Sequence, residues 1–282
     1  MSIYKVKMKQ NIENLSDEKL WHKIYGRLDN KTCKICKQDV EESGKKMSSL
    51  QPVPYIGSQF YNNKYQIMFI GKGTYNNDKS RGYDVFPTKQ VRNLFLNDNY
   101  SFWDWVREIN KSIFDNESAK EVFPYFAYSN VHKCQAVPKG WTFNDTPDYI
   151  IDENVSTNCI TNAGWIYREI NEIAPKNVVL FLGFQWDHYL AKLFLQNEKL
   201  IKKFNYDYYI KKSSDKDRIK YLKKRKSGDY KDDDYFIHLR DGNRRFIITN
   251  HPQGAPHEIR DEIIRIIKNN DWRKSIRWKM PK

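Results

Sequence analysis

Short apolar runs set between segments of helical spacing limit what this chain can fold into. The clearest run is Asn177-Val178-Val179-Leu180-Phe181-Leu182-Gly183, which has the length of a strand and the unbroken hydrophobicity of one buried on both faces. Tyr65 to Ile70, ended by Gly71, reads as a second such strand, Pro124 to Val131 as a third and Phe246 to Thr249 as a fourth. Between them the apolar residues recur at three and four. Val91, Leu94 and Phe95 are followed by Trp105, Ile109 and Ile113, and the aromatics Phe102, Trp103 and Trp105 fall where a core would take them. Ile160, Ala163, Ile166, Tyr167, Ile170 and Ile173 predict a helix halted near Pro175, a further helix is expected from about Trp186 to Lys199, and Ile259, Ile263, Ile266 and Ile267 line a last one. Ahead of all these, Leu20, Ile24 and Leu28 with Ser16 as N-cap predict an amphipathic helix, and 43–57 reads as an irregular connection. Single strands alternating with helices predict one α/β domain over 1–282 with a mainly parallel sheet, decorated by insertions. There is no internal repeat.

Composition narrows the partners. In 282 residues, 49 Lys and Arg stand against 35 Asp and Glu, a net charge of +14. Hydrophobic residues at 39% and aromatics at 15% exclude wholesale disorder. No apolar run reaches the roughly 18–20 residues that span a bilayer, and MSIYKVKMKQNIENL lacks the apolar core of a signal peptide, so a cytoplasmic, monomeric protein without a membrane partner is expected. The positive excess favours a polyanion, nucleic acid before membrane surface. Much of it lies in a basic insertion at about 202–245 and a basic, Trp-rich tail, 271–282. The charge blocks of Lys202 to Asp234 read as solvated surface, and the acidic stretch Asp229 to Asp234 lacks the spacing of a calcium loop. The cysteines number four: Cys33 and Cys36 as C-x-x-C on a Lys-rich loop, then Cys134 and Cys159. In a reducing compartment these are buried thiols or metal ligands, and a four-thiolate shell is what zinc or an iron–sulfur cluster requires.

Three segments join a strand end to residues of catalytic type: Gly71-Lys72-Gly73-Thr74-Tyr75, Ser129 to Cys134, and Asn250-His251-Pro252. Parallel strands deliver their carboxyl ends to one edge, where α/β folds bind ligands. In order and residues these pieces resemble the uracil-DNA glycosylase superfamily, most closely its iron–sulfur branch, family four. The resemblance runs through Cys33/Cys36, Met68 to Gly73, Asn130 to Cys134, Cys159, Pro175 to Gly183 and His251-Pro252, and covers about residues 30–270. It implies a three-layer α/β/α fold around a central, mainly parallel four-stranded sheet, and a [4Fe–4S] cluster held by Cys33, Cys36, Cys134 and Cys159, with zinc as the alternative. It implies a base pocket of Gly71, Lys72, Gly73 and Tyr75, with Phe86 stacking on an extruded base and Asn130 reading its edge. His251 would hydrogen-bond the departing base, and Gln253, Gly254 and His257 would touch the duplex; His132 reads as surface or phosphate-contacting.

The first motif departs from that pattern. Family four usually carries an acidic residue directly after the first glycine, where this chain has Lys72 and then Gly73. A lysine is no general base at neutral pH unless its pKa falls far, so Asp84, beside Phe86, or Asp78 is expected to serve in its place. A Lys72 Schiff base would add lyase activity. The expected function is hydrolysis of the N-glycosidic bond of uracil or a modified pyrimidine in DNA. Its alternatives are excision of a hydroxymethylated or glucosylated cytosine from phage DNA in anti-phage defence, and a non-catalytic nucleic-acid-binding protein that keeps the fold.

Overall fold

All four apolar runs form strands: β3 (Ile67–Gly71), β4 (Phe126–Asn130), β6 (Asn177–Phe181) and β8 (Arg244–Thr249). The computed structural model describes residues 24, 30–47, 54–71, 88–131, 133, 136–140, 155, 158–159, 164–182, 236–249, 251–253, 255, 257–273 and 275–277. These belong to two compact units, one drawn from 1–98 and 123–175, the other from 99–122 and 176–281. The architecture is mixed α/β in both.

In the first unit β3 and β4 run parallel from Ile67 opposite Phe126 to Gly71 opposite Asn130, and every residue of both is buried. A short β2 (Tyr55–Ile56) pairs antiparallel with the other edge of β4. Strand alternation sends Phe126 to one face, where Phe95 of helix α2 (Thr88–Asn97) packs with its ring centroid 4.9 Å away. Tyr55 stacks on Phe123 at 4.7 Å beneath the same face. Ser129, of opposite parity, reaches helix α4 (Trp165–Ile173), which buries Ile166, Ile170 and Ile173 and ends where Ala174 turns left-handed at φ 51° ahead of Pro175. Asn63 fixes the entry to β3. Its carboxamide donates to the carbonyls of Phe60 and Tyr125 and accepts from the backbone N–H groups of Tyr65 and Gln66. Gly57 sits so close to β4 that a Cβ there would lie 2.2 Å from the Pro124 carbonyl oxygen.

Two expectations for this unit change. The C-x-x-C, expected on a loop, lies within helix α1 (Asn30–Glu42); its apolar positions Cys33, Cys36 and Val40 recur at three and four, and that stripe needs a helix to face one core. Residues 43–57, expected to be irregular, contain β2 and β1 (Lys45–Met47), which pairs antiparallel with β5 (Ala136–Pro138) after Gly44 turns the chain at φ 77°. Of the expected amino-terminal helix only Ile24 is described; it is helical and buried.

In the second unit β6 and β8 run parallel, Asn177 opposite Arg245 through Phe181 opposite Thr249. A hairpin through Gly242, at φ 60°, adds β7 (Phe236–Asp241) antiparallel to β8, and β9 (Ile276–Arg277) pairs parallel with β7. Helix α3 (Ser101–Phe114) buries Phe102, Trp103, Trp105, Val106, Ile109 and Ile113, as the spacing predicted, and sets Phe102 and Trp105 edge-on to Phe181. Helix α5 (His257–Lys268) buries Ile259, Ile263, Ile266 and Ile267, and Lys268 pairs with Asp115 beyond the end of α3.

The four expected strands are therefore joined by further ones and the pairing is mixed: β3–β4, β6–β8 and β7–β9 are parallel, β2–β4 and β7–β8 antiparallel. Antiparallel β7 lies beside β8 because the tight turn at Gly242 makes a hairpin the shortest return. Residues 236–245, assigned by sequence to the basic insertion, are sheet, and the tail contributes β9. Trp272 is held between cations: the Arg245 guanidinium lies 4.0 Å and that of Arg240 4.9 Å from its ring, and the His238 ring stacks on it at 6.0 Å. Arg245, 1% exposed, donates through Nε to His238 Nε2 (3.2 Å), through Nη1 to Asn177 Oδ1 (2.5 Å) and through Nη2 to Asn270 Oδ1 (3.1 Å). Asp271 binds Arg265 and Arg273.

Candidate functional site

The carboxyl ends of β3 and β4 meet at Gly71 and Asn130, which are register partners, and the Val131 N–H donates to the Gly71 carbonyl at 2.9 Å. Two of the segments singled out by sequence are thus neighbours in space. Residues 128 and 130 share a strand face, so the Tyr128 hydroxyl reaches Asn130 and donates to its Oδ1 at 2.8 Å. Burial pushes the Tyr128 phenol up, against a downward pull from this hydrogen bond, so the group keeps its proton well into the alkaline range.

Ser129, facing the other way, donates to Glu169 Oε2 of α4 at 2.6 Å. The Lys133 ammonium completes the group: it lies 2.6 Å from Glu169 Oε1, donates to Ser129 Oγ at 2.8 Å, and donates to the Asn130 backbone carbonyl. Lys133 and Glu169 are both buried. Burial drives the Glu169 carboxyl well upward, and the ammonium beside it is what makes a carboxylate tenable there. A buried pair of this kind fixes geometry, since removing either partner costs about 3–5 kcal/mol. Here it fixes the backbone at the point where Asn130 leaves the sheet.

In the second unit β8 hands over to His251 in the same manner. Leu182 N–H donates to Thr249 O at 2.9 Å, extending the parallel pairing past the strand end. The half-buried His251 ring stands over Phe102 (6.1 Å, 24°) and Tyr100 (5.5 Å, 46°). Its Nδ1 accepts the Gln253 backbone N–H at 3.3 Å, which places the proton of the neutral imidazole on Nε2 and makes that atom a donor. Gln253 is exposed, with its side-chain oxygen accepting from Tyr100 Oη at 3.3 Å. His257 is exposed on the first turn of α5, its ring 6.4 Å from that of Trp105.

Cys33 and Cys36, one turn apart on α1, share a helix face, and an apolar cluster of the first unit contains both together with Cys159, Ala136, Val155 and Trp165. Burial raises the Cys33 thiol, and a hydrogen bond from Trp165 pulls it down. Burial is the larger effect, so the Cys33 thiol holds its proton more firmly than a free one. Among the described residues no three His, Cys, Asp or Glu side chains are gathered as a metal ion would hold them. Cys134 lies outside the described residues, as do Lys72, Gly73, Tyr75, Asp78, Asp84, Phe86, His132 and Gly254.

Sequence reasoning missed Tyr128 and Glu169. Each had a signal: Tyr128 lies two residues before Asn130 in a strand, and Glu169 occupies a core-facing position of the Ile166, Ile170, Ile173 stripe, where a carboxylate needs a cation. No protein-family model matches the chain, and no curated protein matches it. Among the described residues no helix is long and apolar enough to cross a membrane.

Proposed function

We propose that the chain is a DNA glycosylase that hydrolyses the N-glycosidic bond of a flipped-out uracil or modified pyrimidine and leaves an abasic site. The observation that carries this reading is the corner where Gly71 and Asn130 are register partners at the carboxyl ends of two parallel strands. Glycine leaves the approach to the strand end without side-chain bulk. Asn130 sets a planar carboxamide, one acceptor and two donors, on a backbone made rigid by Lys133 and Glu169. That is the equipment needed to read the edge of an extruded base. His251, with its proton on Nε2, is suited to donate to the base as negative charge develops on it, an interaction worth about 2.7–4 kcal/mol for one such donor. Asp84 or Asp78 is assigned to the water. The charge of +14 supports DNA as the partner.

Cys33, Cys36, Cys134 and Cys159 are assigned to a [4Fe–4S] cluster, with zinc as its rival. Such a cluster ties polypeptide segments together and takes no redox part in hydrolysis. Its presence is read from iron content and visible absorption of anaerobically purified protein.

The deciding experiment incubates the protein with duplex DNA containing uracil and with DNA containing hydroxymethylated or glucosylated cytosine, and identifies the released base by mass. Release from either supports the reading; binding without release from both overturns it. Asn130→Ala and His251→Ala should each lose release by about 10²-fold or more and keep DNA binding.

A further inference from the structure

We infer that Tyr128 sets which base is accepted, by fixing which way round Asn130 presents its carboxamide. The inference rests on Asn130 reading the base edge, as proposed above. A uracil-type edge offers a carbonyl at C4 and an N–H at N3; a cytosine-type edge offers an amino group at C4 and a bare N3. The two patterns are inverse, so a carboxamide held in one orientation matches one edge and opposes the other with two donors or two acceptors face to face. Unrestrained, an asparagine turns over and reads both.

Here it is restrained. The Tyr128 hydroxyl, buried with its ring in the sheet, donates to Asn130 Oδ1 at 2.8 Å. Turning the amide over would set its NH₂ against the phenol oxygen, and the phenol proton would then need another acceptor inside the core. The backbone beneath is equally fixed, because Lys133 holds the Asn130 carbonyl and is itself held by Glu169 and Ser129. Neither the side chain nor the strand end is left to adapt to the wrong edge. Tyr128 acts through Asn130, so it is a positioning residue for specificity.

The test compares kcat/KM for matched duplexes carrying uracil or hydroxymethylcytosine at one site, in the wild type and in Tyr128→Phe. Loss of the hydroxyl should shrink the ratio between the two bases by about 10-fold, chiefly by raising the disfavoured one, since one buried hydrogen bond is at stake. A purely structural role would lower both values together and leave the ratio alone. If Tyr128→Phe lowers Tm enough to prevent assay, 4-fluorophenylalanine at 128 fills the hydroxyl space without a donor, and the same ratio is read. A wild type that cleaves one base and a variant with an unchanged ratio overturn this inference alone. A wild type that cleaves neither overturns it together with the reading of Asn130.

Discussion

His238 and Asp271 are two side chains of the second unit whose protonation bears on its stability. Burial first, and the Arg245 cation next, push His238 down to about 3, so the imidazole is neutral in the fold and accepts from Arg245 Nε. Asp271 behaves oppositely: hydrogen bonds from Arg273 and Arg265 hold its carboxyl well below the usual carboxylate range. Both values are depressed relative to the unfolded chain, so both groups contribute stability that is present at neutral pH and lost on acidification. For His238 the loss begins below about pH 6.5, its ordinary value, and for Asp271 below about pH 4. His238→Gln, which keeps an acceptor and does not titrate, should flatten the dependence of Tm on pH from about 6.5 down to about 3 and leave the part of the decline below about 4 that belongs to Asp271. A Tm profile parallel to the wild type's would remove His238 from that role. The His238–Arg245 contact was not legible in the sequence, because both residues fell within the basic insertion assigned to about 202–245, and only the pairing of β7 with β8 sets them side by side.

At the scale of elements, the strands were legible because an unbroken apolar run has few other uses, and α3 because its aromatics keep helical spacing. What the pattern concealed was pairing made by two-residue or glycine-bounded strands, such as Tyr55–Ile56, whose length is too short to show a period. The Gly71–Asn130 corner was readable as two separate motifs; that they are register partners was not, since register is set by packing across the sheet. Gly57 joins β2 to β4 by allowing a backbone approach that no side chain permits, and its N–H donates to Phe126 O at 3.0 Å. Gly57→Ala should destabilise the fold by about 1–3 kcal/mol, seen as a lower denaturant midpoint with an unchanged m-value. On the Ser129 face, Glu169→Gln should cost about 3–5 kcal/mol by leaving the Lys133 charge buried and unbalanced.

For the whole molecule, the charge of +14 makes the DNA binding proposed above a function of salt. Log affinity should fall linearly with log salt, and replacing Lys223, Lys224, Arg225 and Lys226 by alanine should reduce the slope by about 0.9 for each phosphate that this run neutralises, read by fluorescence anisotropy across a salt series. Base discrimination should be unaffected, since phosphate binding carries no sequence information. An unchanged slope would take this basic run out of the interface.

The chain builds its two units in an interleaved order: 99–122 belongs with 176–281, although 123–175 is made in between. During synthesis Phe102 and Trp105 therefore emerge long before Phe181, the residue they pack against. Roughly 75 residues separate Trp105 from Phe181, about 4–15 s of translation at ordinary rates. For that interval the nascent chain carries an amphipathic helix rich in tryptophan whose core does not yet exist. Soluble yield should accordingly depend on chaperone supply and growth temperature, and a fragment ending at residue 175 should aggregate through α3.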